Sequence, residues 1–333
     1  MSLWDALDNE SGFRGDAETA SMFFARELEA VKAQAYDVIR APLRAFELIP
    51  MDQTEPSGAE SIVYEQYDAT GLAKIIADYA DDLPRNDVKG KQFVARVRSV
   101  GNSYGYSLQE IRAAQMAGKP LQQRKVAAAT RSQREAWNRV AFYGDEEHGL
   151  QGWLTNSNIP SDAVENDGDG DATEWSTKTP EQILRDMNDL VNGIVTRTNG
   201  AEQPDTLVLP LEQYTKITTT RADSGTDTTI AQYFLDNSPF IDSLEWANEI
   251  SEDQRTANLG GDDPYTGDIM IAYRRDPDAF WFEMPQPFEQ LPVQERNLEF
   301  VVPCHSRIAG VIIPYPLSMA IGEGIYWRTP RYA

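Results

Sequence analysis

The side chains that could carry acid–base or nucleophilic chemistry are few in this sequence. It contains two histidines, His148 and His305, and one cysteine, Cys304. Cys304 and His305 are consecutive, and consecutive residues of a strand point to opposite faces, so an extended segment would keep them from forming a nucleophile–base pair. No motif of a serine hydrolase, a zinc protease or a phosphate-binding loop accompanies either histidine. The sequence therefore predicts no catalytic residue, but a core cysteine and a partly exposed histidine.

Alternating carboxylates form a second candidate site, this time for a cation. Asp167, Asp169 and Asp171 are spaced as in the first half of a calcium loop. Ala172 stands where the sharp turn needs glycine, and Lys178 stands where the closing glutamate belongs. The segment is therefore interpreted as a solvated turn. The sequence predicts neither a metal site nor a cofactor, and leaves open whether this acidic loop binds a cation.

Composition narrows the classes of function. The 333 residues include 30 Lys and Arg against 53 Asp and Glu, a formal net charge of -23. Nucleic acids and anionic membranes are bound through clustered basic residues, so a chain this acidic is not expected to be a general binder of either. No apolar run approaches the roughly 20 residues that span a bilayer. A single cysteine suits a reducing cytosol.

Two segments near the N-terminus are predicted to form different secondary structures. Between Ser21 and Pro42 the apolar residues recur at helical spacing, which predicts an amphipathic helix. Ala45 to Ile49 is predicted to be a short strand. These two elements precede a turn-rich connector.

A long β-hairpin is predicted next. The segments Ser61–Asp68 and Lys91–Val100 are rich in β-branched and aromatic residues, and a polar stretch separates them. A two-stranded ribbon is marginally stable in water, so this one needs another surface to pack on. The residues alone favour a surface of the same chain, and a neighbouring chain is the alternative.

A pair of helices follows the hairpin and carries the strongest charge contrast of the sequence. Ser107 and Glu110 have capping-box spacing, and a second, longer helix after Pro120 ends at Gly144. Six basic residues and one acidic residue lie between positions 119 and 143, whereas positions 145–175 hold nine acidic residues and no Lys or Arg. The basic face could follow phosphates, or could pair with acidic surface of the same or an adjacent chain. Its members are Arg124, Lys125, Arg131, Arg134 and Arg139.

The rest of the chain mixes helices and strands. Thr179 and Gln182 form a capping box around Pro180, which predicts a helix that closes near Gly200. Further predicted elements are a buried strand at 206–209, short helices near 214 and 230–235, strands at 241–246 and 269–273, and C-terminal strands at 298–302 and 308–313. The fold class is α+β.

The order of these elements, together with several short motifs, resembles a known family. The motifs are Ala45–Pro50 (AFELIP), Tyr67–Gly71 (YDATG), Asp81–Pro84 (DDLP), Ala141–Asp145 (AFYGD) and Gly149–Trp153 (GLQGW). They resemble the major capsid proteins of tailed bacteriophages, which share the Hong Kong 97 phage fold. The resemblance spans about residues 24–325 and is most specific between Phe46 and Trp153.

The resemblance implies a division of the chain into four parts. Residues 1–50 would form the N-terminal arm and helix, and residues 51–105 an extended loop. Residues 106–179 and 293–333 would form the peripheral domain with its long spine helix, and residues 180–292 the axial domain. The extended loop would lie across a neighbouring subunit, which reverses the preference for packing within the chain. The subunit-contact candidates on it are Ile62, Tyr64, Tyr67, Phe93 and Val97.

The resemblance also implies partners and a location. Copies of the chain would assemble as pentamers and hexamers into an icosahedral shell that encloses double-stranded DNA without reading its sequence. Only about 20 residues precede the N-terminal helix, so a separate scaffolding protein is expected, together with a portal. Assembly would take place in the host bacterial cytoplasm, the mature location would be the virion, and no membrane would be involved. The alternatives are an encapsulin-like nanocompartment and, from another class, a soluble hydrolase that uses the acidic loop or Cys304.

Overall fold

The computed structural model describes residues 40–70, 86–117, 121–223, 225 and 227–326. The chain divides into two units at Pro42, and only residues 40–42 of the first unit are described. The predicted N-terminal helix lies outside the described residues. The second unit begins at Leu43 and contains the helices and strands of the described chain.

Helices and strands are mixed along this unit. The helices are α1 (Ala45–Leu48), α2 (Leu108–Ala117), α3 (Leu121–Tyr143), α4 (Pro180–Arg197), α5 (Leu211–Thr219), α6 (Ile230–Asn237) and α7 (Glu252–Leu259). The strands are β1 (Met51–Asp52), β2 (Ser61–Thr70), β3 (Asp87–Arg96), β4 (Arg98–Ser107), β5 (Ser161–Ala163), β6 (Thr206–Leu209), β7 (Ser243–Trp246), β8 (Ile269–Tyr273), β9 (Trp281–Glu283), β10 (Gln286–Gln290), β11 (Gln294–Arg296), β12 (Glu299–Ile308), β13 (Gly310–Ile312) and β14 (Met319–Glu323). Among the described residues, no helix is long and apolar enough to cross a membrane.

A five-stranded mixed sheet has the order β5-β14-β8-β6-β7. Strand β6 pairs with β7 in parallel and with β8 in antiparallel fashion, and β14 pairs with β8 on one side and with β5 on the other. Strands β6 and β8 are buried along their whole length, as their continuous apolar sequences require. Helices α4, α5 and α6 bury their apolar residues against this sheet.

A second sheet is built on the ten-residue antiparallel pairing of β4 with β12. Strands β10 and β11 pair with β12 on its other edge. Helix α3 packs on β4, where the Asn102 side-chain amide donates to the Ala129 carbonyl oxygen over 2.8 Å. The Trp137 indole N–H donates to the Ser306 hydroxyl over 3.1 Å and thereby links α3 to β12. A small third sheet has the order β1-β9-β13.

The main core has an aromatic centre. Trp153 is fully buried and lies 4.9 Å from the Tyr273 ring and 5.5 Å from the Phe280 ring, measured between centroids. Its indole N–H points to the sulfur of Met319 at 3.4 Å. The loop after α3 and the five-stranded sheet therefore share one hydrophobic core.

The predicted helix ends are confirmed. The Ser107 N–H donates to the Glu110 carboxylate and the Glu110 N–H to the Ser107 hydroxyl, each over 3.1 Å, which completes a capping box. The second capping box, of Thr179 and Gln182, opens α4. Helix α3 ends at Gly144, whose φ of +68° is in the left-handed region.

Three of the predicted elements differ from the structure. The strand predicted at residues 45–49 is wrong: residues 45–48 form helix α1, because Ala45 and Leu48 share one buried helix face and Asn138 caps the Ala45 N–H over 2.9 Å. The predicted strand at 91–100 is divided at Val97, because β3 pairs with β2 while β4 pairs with β12. The first C-terminal strand runs on to Ile308 as β12, since β4 pairs with it over that whole length.

Candidate functional site

The predicted hairpin is the most distinctive surface feature of the described residues. Strands β2 and β3 pair in register from Ser61 opposite Arg96 to Thr70 opposite Asp87 and form a two-stranded sheet. Successive side chains point to opposite faces, so the ribbon has two faces of different composition. The inner face is the one that carries Ile62, and the outer face is the one that carries Val63.

The inner face packs on its own chain near the base of the ribbon. Ile62 and Val97 are buried in a small cluster with Ala309 and Ile312. Further along, the rings of Tyr64 and Phe93 stack at 5.2 Å with an interplanar angle of 13°. These two rings also line a cavity of about 570 Å³ that the ribbon shares with residues 313–317. The base of the ribbon is therefore positioned by intrachain contacts.

The outer face exposes apolar side chains. Val63 and Val94 are cross-strand partners and are 54% and 64% exposed. Tyr67 is 66% exposed and its ring covers Gly90 on the opposite strand, so a Cβ at Gly90 would lie 2.9 Å from the ring. Val88 adds a further exposed side chain. An apolar stripe thus runs along a ribbon face that no other part of the described chain covers.

The five predicted contact residues are divided between these faces. Ile62 and Val97 are covered by their own chain, Tyr64 and Phe93 are half-buried, and Tyr67 alone belongs to the exposed outer stripe. The sequence reasoning did not name Val63, Val88 and Val94, which the structure exposes on the outer face. The alternation along a strand identifies which residues share a face. Which of the two faces packs on the chain is determined by the distant residues 309–315, so no local sequence signal indicates the exposed face.

The basic face of α3 pairs in part with acidic groups of the same chain. The Lys125 ammonium lies 2.9 Å from the Glu110 carboxylate, donates to the Gly105 carbonyl oxygen over 2.6 Å, and lies 4.8 Å from the Tyr106 ring centroid. The hydrogen bond from Lys125 is the main reason why the pKa of Glu110 lies below its usual value. On the same helix, Arg131 pairs with Glu135 over 2.8 Å, one turn away.

The remaining predicted residues of this face present a charged surface. The side chains of Arg124, Arg134 and Arg139 are exposed. Arg139 stands at the C-terminal end of the helix, beside Asp145. Helix α3 therefore has two basic side chains that pair with carboxylates of the same chain and three exposed arginines, although the chain as a whole is acidic.

One carboxylate of the acidic loop, Asp167, forms ion pairs with basic side chains of its own chain. Asp167 lies 3.2 Å from the Lys178 ammonium and 2.7 Å from the Arg185 guanidinium. Although desolvation acts to raise it, these hydrogen bonds hold the pKa of Asp167 below its usual value. Within the described ranges, no group of three or more His, Cys, Asp or Glu is placed to hold a metal ion.

Lys178 belongs to a buried ionic cluster that the sequence reasoning did not identify. Its side chain has no exposed surface, and its ammonium donates to the Asp186 carboxylate over 2.6 Å and to the Glu165 carbonyl oxygen over 2.7 Å. Asp186 also accepts from the Trp175 indole N–H over 3.0 Å. The cluster fastens the acidic segment to helix α4.

Cys304 and His305 lie on β12, where Cys304 is buried and His305 is half-exposed. Burial raises the pKa of the Cys304 thiol, which disfavours the nucleophilic thiolate. The arrangement agrees with the prediction of a core cysteine beside a partly exposed histidine.

Several solved structures have this fold. The chain matches the capsid of the Myoviridae phage XM1 with a TM-score of 0.74 at 16% identity, over 90% of this chain and 98% of that one. It matches the capsid of a native GTA particle with a TM-score of 0.61 at 11% identity, over 98% and 100% of the two chains. For Mycobacterium phage Ogopogo the TM-score is 0.60 at 13% identity, over 90% and 98%. The α+β architecture is therefore that of phage capsid subunits.

A family model described as major capsid protein matches residues 71–325. No curated protein matches the chain. Because the family model covers most of the sequence, the chain belongs to the major capsid protein family, as the sequence motifs predicted. It is a structural subunit that assembles with copies of itself into a capsid shell.

Proposed function

We propose that the ribbon of β2 and β3 makes the shell by lying across a neighbouring subunit, with its outer face as the contact surface. The observation that supports this proposal is the row of exposed apolar side chains on that face. They are Val63, Tyr67, Val88 and Val94. Each buried square ångström of apolar surface contributes about 25 cal/mol, so covering such side chains favours association. Tyr64 and Phe93 lie on the inner face, where their rings line the cavity beside residues 313–317, and Ile62 and Val97 hold the ribbon base in place.

The proposal also divides the chain into the four parts of a capsid subunit. Residues 1–50 are proposed as the N-terminal arm and helix and residues 51–105 as the extended loop, whose two-stranded ribbon ends at the division between β3 and β4. The peripheral domain contains α2, α3 and the sheet of β4 and β12. The axial domain contains α4 to α7, and strands β5 and β14 are grouped with it because they pair into its five-stranded sheet.

The proposal includes the partners that membership of the capsid family implies. A separate scaffolding protein guides assembly in the host bacterial cytoplasm, a portal occupies one vertex, and the closed virion encloses double-stranded DNA. With a net charge of -23, the subunit surrounds the DNA without reading its sequence. A purely structural role is supported by the burial of Cys304 and by the pairing of Asp167 with Lys178 and Arg185.

The contact surface is tested with a matched pair of substitutions at the exposed position 63. Val63→Asp places a charge in the apolar stripe and is expected to abolish shell formation, whereas Val63→Thr, of nearly the same shape, is expected to retain it. Shells are counted by electron microscopy after assembly with scaffold, and circular dichroism verifies folding. Normal shells from folded Val63→Asp would disprove the role of the outer face.

The contents of the particles separate the proposed shell from its nearest alternative. Particles purified from an infected host are expected to contain double-stranded DNA. Particles that contain a protein cargo and no DNA would favour a nanocompartment, and a small discrete oligomer with measurable turnover would favour an enzyme.

A further inference from the structure

Glu283 on β9 is a buried acid that the proposed shell contact does not use. The residue is 1% exposed. One of its carboxylate oxygens, Oε2, accepts a hydrogen bond from the Trp281 indole N–H over 2.7 Å. The other oxygen, Oε1, is buried and has no hydrogen-bond partner among the described residues. Ionisation of this carboxyl group is therefore costly, because a buried charge needs partners that replace water.

The charged neighbours of Glu283 increase this cost. Asp52 lies directly opposite Glu283 on the neighbouring strand β1, and Glu55 follows in the connector that leads to the ribbon. Burial raises the pKa of Glu283 above its ordinary value, the Trp281 hydrogen bond opposes that rise, and the negative charges of Asp52 and Glu55 add to it. The buried position therefore favours the protonated form of Glu283.

The basic side chains of the adjoining strands are bonded elsewhere. Arg307 on β12 donates to the Ser57 carbonyl oxygen, and Arg98 on β4 donates to the His148 carbonyl oxygen over 2.9 Å. Among the described residues, no Lys, Arg or His forms an ion pair with Glu283. Within this part of the chain, a proton is thus what neutralises the Glu283 carboxyl group.

Glu283 lies on the face of the small sheet that carries the base of the ribbon. Residues that are two apart on a strand, or directly opposite on neighbouring strands, point to the same side of a sheet. Glu283, Trp281 and the Trp281 partner Ile312 therefore share one face. On that face Ile312 and Trp281 pack with Ile62 and Val97 of the ribbon base. We call this packing the base contact.

An open cavity of about 580 Å³ adjoins the base contact. Its lining includes Asp52 and Trp281, the strand neighbour and the hydrogen-bond partner of Glu283, and also Tyr64 of the ribbon. Glu283 itself does not line the cavity. Solvent thus reaches the side chains next to the Glu283 carboxyl group, and a small displacement of the ribbon base would hydrate the carboxyl group itself.

We propose that protonated Glu283 keeps the base contact closed and that ionisation of Glu283 opens it. The ionised carboxylate gains hydration only when the ribbon base moves away, so its formation shifts the equilibrium toward the open contact. An acid whose pKa is higher in the closed than in the open state stabilises the closed state at low pH. That stabilisation is lost as the pH rises through the pKa of the closed state.

This pH dependence regulates the ribbon, and it rests on the proposed function only for its effect on shells, where an open base contact frees the ribbon to lie across a neighbouring subunit. The equilibrium itself belongs to one chain. It can therefore be measured without assembly.

Hydrogen–deuterium exchange of the unassembled full-length chain tests the proposal, with protection expressed relative to the intrinsic exchange rate at each pH. Protection of residues 61–66 and 93–97 is expected to fall as the pH is raised from 5 to 8, by at most about tenfold per pH unit, the limit for one proton. Glu283→Gln keeps an acceptor for Trp281 and cannot ionise, so its protection is expected to stay at the low-pH level throughout. Glu295→Gln, at an exposed position on β11, is the matched control and is expected to behave as the wild type.

A second variant, Asp52→Asn, distinguishes titration of Glu283 from a merely structural role of this region. Removing one negative neighbour makes ionisation of Glu283 easier, so the pH at which protection is lost is expected to move to a lower value. A structural effect would instead reduce protection at every pH without moving that value.

Three results would overturn the proposal: protection of the wild type that does not change between pH 5 and pH 8, the same pH dependence in Glu283→Gln, or an unmoved transition in Asp52→Asn. Failure of the outer face as a contact surface is a separate result, because Val63→Asp tests it by shell formation.

Discussion

Replacing Lys178 by methionine is expected to destabilise the chain more than any single change at an exposed ion pair. Lys178 is fully buried, and its removal leaves the Asp186 carboxylate, 1% exposed, without its nearest cation at 2.6 Å. Breaking a buried ion pair by removing one partner costs about 3–5 kcal/mol. Arg185 remains 3.2 Å from Asp186 and Trp175 still donates to it, so we expect about 3 kcal/mol, at the low end of that range.

The loss should depend on pH in a defined direction. Burial raises the pKa of Asp186, and the hydrogen bond from Lys178 opposes that rise. Removing Lys178 therefore raises the pKa of Asp186 further. A carboxyl group whose pKa is higher in the folded than in the unfolded chain contributes stability below its unfolded pKa of about 3.9 and loses that contribution as the pH rises through its folded pKa. The destabilisation by Lys178→Met is therefore largest near pH 7 and decreases as the solution is acidified.

Thermal unfolding of the unassembled chain measures both effects. For a chain of 333 residues, about 3 kcal/mol corresponds to a decrease in Tm of about 4 °C. Arg221→Met is the matched control, because it removes a cation from the exposed pair of Arg221 and Asp227, where about 0–1 kcal/mol is expected. Adding Asp186→Asn to Lys178→Met should recover part of the loss, since asparagine carries no charge and can still accept from Trp175. A loss below about 1 kcal/mol at pH 7, or one that is the same at pH 5, would refute this account of the cluster.

Three further predictions concern the helix end, the cysteine and the basic face. Gly144→Ala is expected to cost more than about 2 kcal/mol in denaturant unfolding, because φ is +68° and the new Cβ would lie 2.6 Å from the Gly152 nitrogen, and a change below about 0.5 kcal/mol would contradict it. Cys304→Ser should leave shell assembly intact at a modest loss of stability, and loss of a measurable chemical activity would overturn the non-catalytic assignment. Replacing four basic residues of α3 by glutamine takes the net charge from -23 to -27 and should slow assembly, which light scattering follows as a function of salt. Assembly at the wild-type rate with unchanged salt dependence would show that assembly does not depend on this face. The four residues are Arg124, Lys125, Arg131 and Arg134.

The sequence by itself determined the elements whose causes are local. The capping boxes that begin with Ser107 and Thr179 depend on residues three apart, and both form as predicted. The end of α3 at Gly144 requires a left-handed residue, which glycine supplies. The hairpin was predictable from the alternation and composition of its two strands. The order of these elements, together with the short motifs, was sufficient to identify the family.

The tertiary structure decided what depends on distant residues. Residues 45–48 are helical because Asn138, more than 90 positions away, caps their first turn. The inner face of the ribbon is defined by Ala309 and Ile312, so alternation alone could not show that Val63 and Val94 face outward. Lys178 stands in an acidic turn of the sequence, yet the fold buries it against Asp186. In each case a short segment is compatible with two environments, and the free energy of long-range packing selects one of them.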